Sequence, residues 1–387
     1  MKAQENRDPR GYIISADQPD FTTAIRFLNA LIRTGVSVQK ATSPFTVAGK
    51  NYPAGSYVVK TAQAFRPHIL DMFEPQDHPN DFKYEGGPPI APYDAAGWTL
   101  AYLMNVKFDR IQDAFSGPFE QLPYGELLKP TPKALPNGGG YTLSAAANES
   151  FTAVNQLLKA GAEVYRNPTD GSFYVPASAK ANSILAKDSF GMKITATQKP
   201  ANAIKIAPAR IALWDTYGGS MDSGWIRFIM EQFNFDATVI YAADIDAGKL
   251  KDKYDVIIFV DGSIPAYSAT PPANRAVTPA AETIPAEFRS RLGRVTQEKS
   301  IPQLKAFLEA GGQIVAIGTA TNLAAHLNLP VRNALVEIVN GTERRLPAEK
   351  YYVPGSVLRV AVDTKAPASW GLESATDVYF DNSPVFK

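Results

Sequence analysis

The stretch Ile211-Ala212-Leu213-Trp214-Asp215-Thr216-Tyr217-Gly218-Gly219-Ser220-Met221-Asp222-Ser223-Gly224-Trp225 decides the fold. An apolar run enters a glycine turn, and an amphipathic segment follows from Trp225 to Phe233. That is the strand, loop and helix opening of an open α/β sheet, whose ligands sit at the carboxyl ends of the strands. Downstream the pattern repeats. Strands are predicted over 211–214, 238–241, 256–260 and 313–317, and helices over 224–232, 302–310 and 321–327. Such alternation predicts a mostly parallel, doubly wound sheet. Residues 266–286, rich in Ala, Pro and Thr, read as a long insertion beyond the third strand. The runs 357–362 and 378–380 read as β structure returning onto the body.

Upstream, a strand at Gly11-Tyr12-Ile13-Ile14-Ser15 precedes a helix in which Ala24, Phe27, Leu28 and Leu31 recur at helical spacing until Gly35 stops it. A strand over 36–38 and a hairpin over 45–59 complete the unit. The same order recurs. Gly140-Tyr141-Thr142-Leu143-Ser144 matches the first strand, Ser150-Phe151-Thr152-Ala153 matches Asp20-Phe21-Thr22-Thr23, and Gly161 falls where Gly35 does. Gly171-Ser172-Phe173-Tyr174-Val175 then matches Gly55-Ser56-Tyr57-Val58-Val59. Four ordered matches predict an internal duplication. The segments are drawn at 1–62 (first copy), 63–132 (a connector rich in proline and aromatics), 133–205 (second copy), 206–345 (the parallel-sheet domain) and 346–387 (a β tail).

Composition limits the functions available. Among 387 residues the formal net charge is +1, which provides no attraction for nucleic acid or an anionic membrane. No run reaches the ~18 apolar residues of a bilayer span. The polar opening, Met1 to Arg10, does not read as a signal peptide. Cysteine is absent, so disulfides, thiolate metal sites and cysteine nucleophiles are excluded together.

Three constellations invite chemistry. At Gly318-Thr319-Ala320 a buried strand turns into a helix start, where hydrolases and amidotransferases of this architecture hold a nucleophile. Threonine without an adjacent base serves poorly there, and His326 is placed more than a turn beyond. The plainer reading is a helix capped by Thr321 or Asn322. The loop Gly218, Gly219, Ser220 and Asp222 could cradle an anion with backbone N–H groups, or Ser220 or Asp222 could simply cap the helix. It lacks the lysine of a phosphate loop. Finally, His68, Asp71, Glu74, Asp77 and His78 gather imidazoles and carboxylates, with Tyr93, Asp94 and Trp98 close behind. The spacings His68 to Asp71 and His78 to Asp81 would be ligand-like on a helix, but flanking prolines argue against a regular one. No metal is assigned. The same residues could line a peptide- or glycan-binding cleft.

The runs Arg66-Pro67-His68-Ile69-Leu70-Asp71-Met72-Phe73-Glu74-Pro75 and Pro92-Tyr93-Asp94-Ala95-Ala96-Gly97-Trp98-Thr99-Leu100 resemble the downstream region of bacterial proteins of the M14 zinc carboxypeptidase family. Asp222-Ser223-Gly224-Trp225-Ile226-Arg227-Phe228 and Asp381-Asn382-Ser383-Pro384-Val385-Phe386 are similar to the same proteins. The resemblance implies a flavodoxin-like, class I glutamine amidotransferase-like parallel-sheet domain preceded by two duplicated α+β units. In that family a zinc domain with a His-x-x-Glu pair comes first. No such pair occurs here, so the resemblance implies the part that follows the peptidase: a fragment, a split gene product or a truncated gene model. It further implies a periplasmic or extracellular setting and a non-catalytic accessory role. The partner would be a peptidase domain in cis or in trans, with zinc expected only there. A stand-alone hydrolase or amidase and a carbohydrate- or peptide-binding module are the alternatives.

Overall fold

The computed structural model describes residues 9–75, 79–93, 99–130, 134–187, 190–268, 279–381 and 383–387. It is a mixed α/β structure of several sheets, one of them parallel and four-stranded. Two compact units divide the chain: Met1–Ile206 with Val353–Asp381, and Ala207–Tyr352 with Asn382–Lys387. Among the described residues no helix is long and apolar enough to cross a membrane.

In the first unit the chain runs through β1 (Gly11–Ile14), α1 (Phe21–Arg33), β2 (Gln39–Ala41), β3 (Phe45–Val47), β4 (Lys50–Tyr52), β5 (Tyr57–Lys60), α2 (Arg66–Phe73), α3 (Leu100–Leu103), β6 (Asp109–Ile111) and β7 (Phe119–Gln121). Five of these strands form an antiparallel sheet in the order β6-β1-β5-β2-β7. Helix α1 lays Ala24, Phe27, Leu28 and Leu31, all fully buried, among the side chains of β1 and β5. Truncating Phe27 to alanine there would cost about 4 kcal/mol, from lost transfer energy and the cavity left behind. The helix stops because Gly35 takes φ +91°, letting Gly35 N–H reach Ile32 O and Val36 N–H reach Leu31 O.

The chain then passes through β8 (Gly140–Leu143), α4 (Asn148–Lys159), β9 (Val164–Arg166), β10 (Phe173–Pro176), α5 (Ala179–Leu185), β11 (Ile194–Ala196) and β12 (Ile204–Ile206). These strands form a second antiparallel sheet, β11-β8-β10-β9-β12. Helix α4 ends as α1 does, with Gly161 at φ +71° and Ala162 N–H on Leu157 O. The two helices meet at their starts. Asp20 caps α1 through Thr23 N–H at 3.0 Å and accepts the Asn148 N–H of α4 at 2.9 Å, while Arg26 pairs with the buried Glu149.

Local departures from the sequence expectations have physical causes. The strand expected over 36–38 begins at Gln39, because the Gln63 side chain bonds both Ser37 N–H (2.7 Å) and Ser37 O (3.1 Å) where a neighbouring strand would pair. Residues 109–111 and 119–121, read as connector, supply both edge strands of the first sheet. The helix expected near residues 97–104 is the short α3, with Gly97 and Trp98 outside the described residues.

The second unit holds β13 (Ile211–Trp214), α6 (Met221–Gln232), β14 (Ala237–Ile240), α7 (Ala242–Asp246), α8 (Leu250–Lys253), β15 (Val256–Phe259), α9 (Ser300–Glu309), β16 (Gln313–Ala316), α10 (Leu323–His326) and the hairpin β17 (Val336–Val339) and β18 (Thr342–Arg345). The parallel sheet runs β14-β13-β15-β16. Ala212, Ile257 and Phe259 join Leu304 and Phe307 of α9 in one buried cluster. The last hairpin, β19 (Ser356–Ala361) and β20 (Ala375–Phe380), belongs to the first unit. Its Trp370 ring lies 5.3 Å from the Arg166 guanidinium of β9, which also stacks on Phe173 at 4.0 Å.

Candidate functional site at the carboxyl end of the parallel sheet

From β13 the chain first moves outward to β14 and then crosses back to β15, so the strand order reverses between β13 and β15. A crevice opens at such a reversal, beyond the carboxyl ends of the strands. Both strands end on an aspartate: Asp215 follows Trp214, and Asp261 follows Val260. Asp215 Oδ1 accepts N–H bonds from Thr216 (2.8 Å) and Ser220 (2.7 Å). Ser220 caps α6 by accepting Ser223 N–H, and the Ser223 hydroxyl donates to Trp214 O at 2.6 Å. Gly218 and Gly219 supply the left-handed backbone that the loop requires, with φ of +89° and +82°. Two of the loop's N–H groups are therefore held by a carboxylate of its own. Exposed Asp222 adds a second negative charge at the same helix start.

The elbow is similarly self-engaged. Thr319 N–H donates to Asp261 Oδ1 at 2.6 Å, and Thr319 Oγ1 accepts Gly262 N–H at 2.8 Å. Gly318, at φ +59°, is the close-approach point: a Cβ there would lie 2.3 Å from Asp261 Oδ1. Ala320 is buried in the core. Neither Thr321 nor Asn322 caps the following helix. The Thr321 hydroxyl donates back to Gly318 O at 2.6 Å, and the Asn322 amide donates to Ile264 O, so residues 318–322 form a 3-10 turn before α10. His326 Nε2 bonds Pro265 O at 2.8 Å, which fixes its ring on the loop after β15.

Between these loops lies a cavity of about 370 Å³, walled by Trp214, Thr216, Tyr217, Gly262, Leu292 and Arg294 among others. Trp214 is 6 % exposed, and its Nε1–H has no hydrogen-bond partner among the described residues. Polar Thr216, Tyr217 and Arg294 thus line the cavity together with apolar Leu292 and Val295. Such a lining suits a small molecule with an acceptor group and an apolar body.

The imidazole and acid cluster is distributed differently from its sequence. Residues 66–73 do form a regular helix, α2, against the expectation from the prolines. Pro67 sits in the first turn, where a missing N–H leaves no bond unmade. His68 Nε2 is 2.8 Å from Thr34 Oγ1, and Asp71 is exposed with its carbonyl accepting Thr99 N–H. Glu74 Oε1 accepts the Tyr12 hydroxyl at 2.5 Å and Arg110 Nε at 2.8 Å. Burial and the neighbouring Glu74 carboxylate push the Tyr12 phenol far above its ordinary range. Tyr93 is fully exposed, and Asp77, His78, Asp94 and Trp98 lie outside the described residues. Among the described residues no group of three or more histidines and acids is placed to hold a metal ion.

No family model, curated protein or solved structure matches this chain. The site therefore rests on its own geometry. Asp261, Leu292 and Arg294 belong to no motif in the sequence. One signal was available: each of the two central strands is an apolar run closed by Asp, at Trp214-Asp215 and Val260-Asp261. The remaining wall comes from a loop some 30 residues beyond β15.

Proposed function

We propose that this chain is a non-catalytic accessory region of an M14 zinc carboxypeptidase-like protein, supporting or presenting substrate to a peptidase domain encoded in cis or in trans. In this reading the second unit is flavodoxin-like and similar to class I glutamine amidotransferases, and the two antiparallel sheets of the first unit descend from a duplication. Supporting the duplication is the equivalence of β6-β1-β5-β2-β7 to β11-β8-β10-β9-β12, strand for strand. The setting would be periplasmic or extracellular, with zinc belonging to the peptidase domain.

The observation that carries the non-catalytic reading is the engagement of Thr319. Its hydroxyl oxygen accepts a backbone N–H, and the His326 ring is bound to Pro265 O. The test is a peptidase and amidase assay of the purified chain with added zinc. No turnover is expected, and hydrolysis abolished by a chelator or by Thr319→Val would overturn the reading. A second reading, a binding module for a small ligand, is favoured by the cavity at the strand-order reversal. A small-molecule and dipeptide panel read by Trp214 fluorescence distinguishes the two.

A further inference from the structure

The parallel sheet is covered unequally. Strand order with crossovers of the usual right hand assigns α6 to one face and α7, α8 and α9 to the other, and α7 and α8 both pack against α9. The face under α9 is closed by Leu304 and Phe307. On the other face α6 turns Ser223 and Met230 inward, and Leu213 of β13 is buried. Register continues that row of side chains from Leu213 through Ile258 to Val315, and there the cover ends. Val315 is 47 % exposed and Ile317 is 40 % exposed. Helix α6 itself presents Met221, Trp225, Phe228 and Ile229 outward, with Met221 80 % and Trp225 61 % exposed. A parallel sheet is ordinarily covered on both faces. Here one face carries an apolar ridge beside an apolar trough.

We propose that the chain forms a two-fold dimer in which α6 of each copy lies in the trough over β15 and β16 of the other. A two-fold axis parallel to the strands moves α6 from one half of the face to the other half. One contact therefore fills both deficits, as an isologous interface requires. The six side chains expose on the order of 600 Å² per copy, close to the ~800 Å² per partner of a standard interface once a polar rim is added. That also stands at the upper end of patches left bare on monomers. Charge does not oppose the contact. The formal net charge is +1, and Arg227 and Glu231, paired at 2.8 Å on the helix flank, can exchange partners with the neighbouring copy without adding charge.

The test is sedimentation of the full chain together with single substitutions. The wild type is expected to sediment at twice the chain mass at ~10 µM, and Trp225→Glu and Val315→Lys are each expected to weaken association more than ~10-fold. Tyr93→Glu, at an exposed position of the first unit, should change nothing. Because the chain has no cysteine, a mixture of Trp225→Cys and Val315→Cys chains should form a mixed disulfide on mild oxidation. A monomer at ~100 µM overturns the proposal, whatever other protein then binds the face. A dimer that survives both charge substitutions overturns it equally, and circular dichroism establishes that the variants are folded.

Discussion

Thr319 and Asp261 hold the ends of two neighbouring strands together: the Thr319 amide donates to the Asp261 carboxylate at 2.6 Å, and the amide beside that aspartate, Gly262 N–H, donates to the Thr319 hydroxyl oxygen at 2.8 Å. The clasp depends on Gly318, whose φ of +59° brings its Cα against Asp261. Gly318→Ala is expected to destabilise the second unit by about 2 kcal/mol, from the left-handed backbone and the blocked approach of the carboxylate. Denaturant unfolding measures this. A variant as stable as the wild type would mean that the clasp opens at no cost.

Glu74 gives a second prediction. Glu74→Ala leaves the fully buried Tyr12 without this acceptor, and is expected to cost about 2 kcal/mol. Titration with zinc should leave the wild-type melting temperature unchanged. A zinc-dependent rise that disappears in the variant would instead assign Glu74 to a metal site.

The Arg26–Glu149 pair predicts a pH effect. Burial pushes the Glu149 carboxyl above its ordinary value, and Arg26 pulls it back. Its folded form therefore favours the proton, so its contribution to stability is greatest in acid and declines as pH rises through the folded value. Arg26→Ala removes the compensating charge and is expected to cost about 1 kcal/mol at pH 7, less than a fully buried pair because the Arg26 side chain is partly exposed to solvent. The penalty should shrink as pH falls and the buried carboxyl takes up its proton. Thermal melts over a range of pH test it, and a loss independent of pH would contradict it.

Asp255 behaves in the opposite sense. Hydrogen bonds from the Arg210 side chain, then from the Arg210 backbone and Lys251, hold its carboxyl well below the usual carboxylate range. Its contribution is present above the ordinary value of about 3.9 and is lost as pH falls below it. Asp255→Asn should therefore be less stable than the wild type at neutral pH, with the difference closing in strong acid. Melting temperatures that stay parallel down to about pH 2 would refute the assignment.

How much was legible in the sequence depends on the reach of each interaction. Strands β13, β15 and β16 are legible because short apolar runs closed by turn residues report local periodicity, and α1 because its apolar residues recur at helical spacing up to Gly35. Strand β2 was displaced because Gln63, distant in sequence, took the hydrogen bonds of Ser37. Helix α2 is hidden in the sequence because a proline reads equally as a breaker and as a first-turn residue, and only the fold shows Pro67 to be the latter. The Asp261–Thr319 clasp spans 58 residues, and no spacing rule anticipates it.

The sequence by itself determined the kinds of element, their order in the parallel-sheet region and the absence of any thiol, because propensity, periodicity and composition are properties of neighbouring residues. Only the tertiary structure decided that Asp215 turns onto its own loop, that Asp261 reaches Thr319 beyond the neighbouring strand, that Glu74 serves Tyr12, and that Val315 stays exposed beside α6. Those outcomes depend on which distant groups reach a buried donor or an apolar surface first. Desolvation settles that competition, and it acts only once the chain has closed around it.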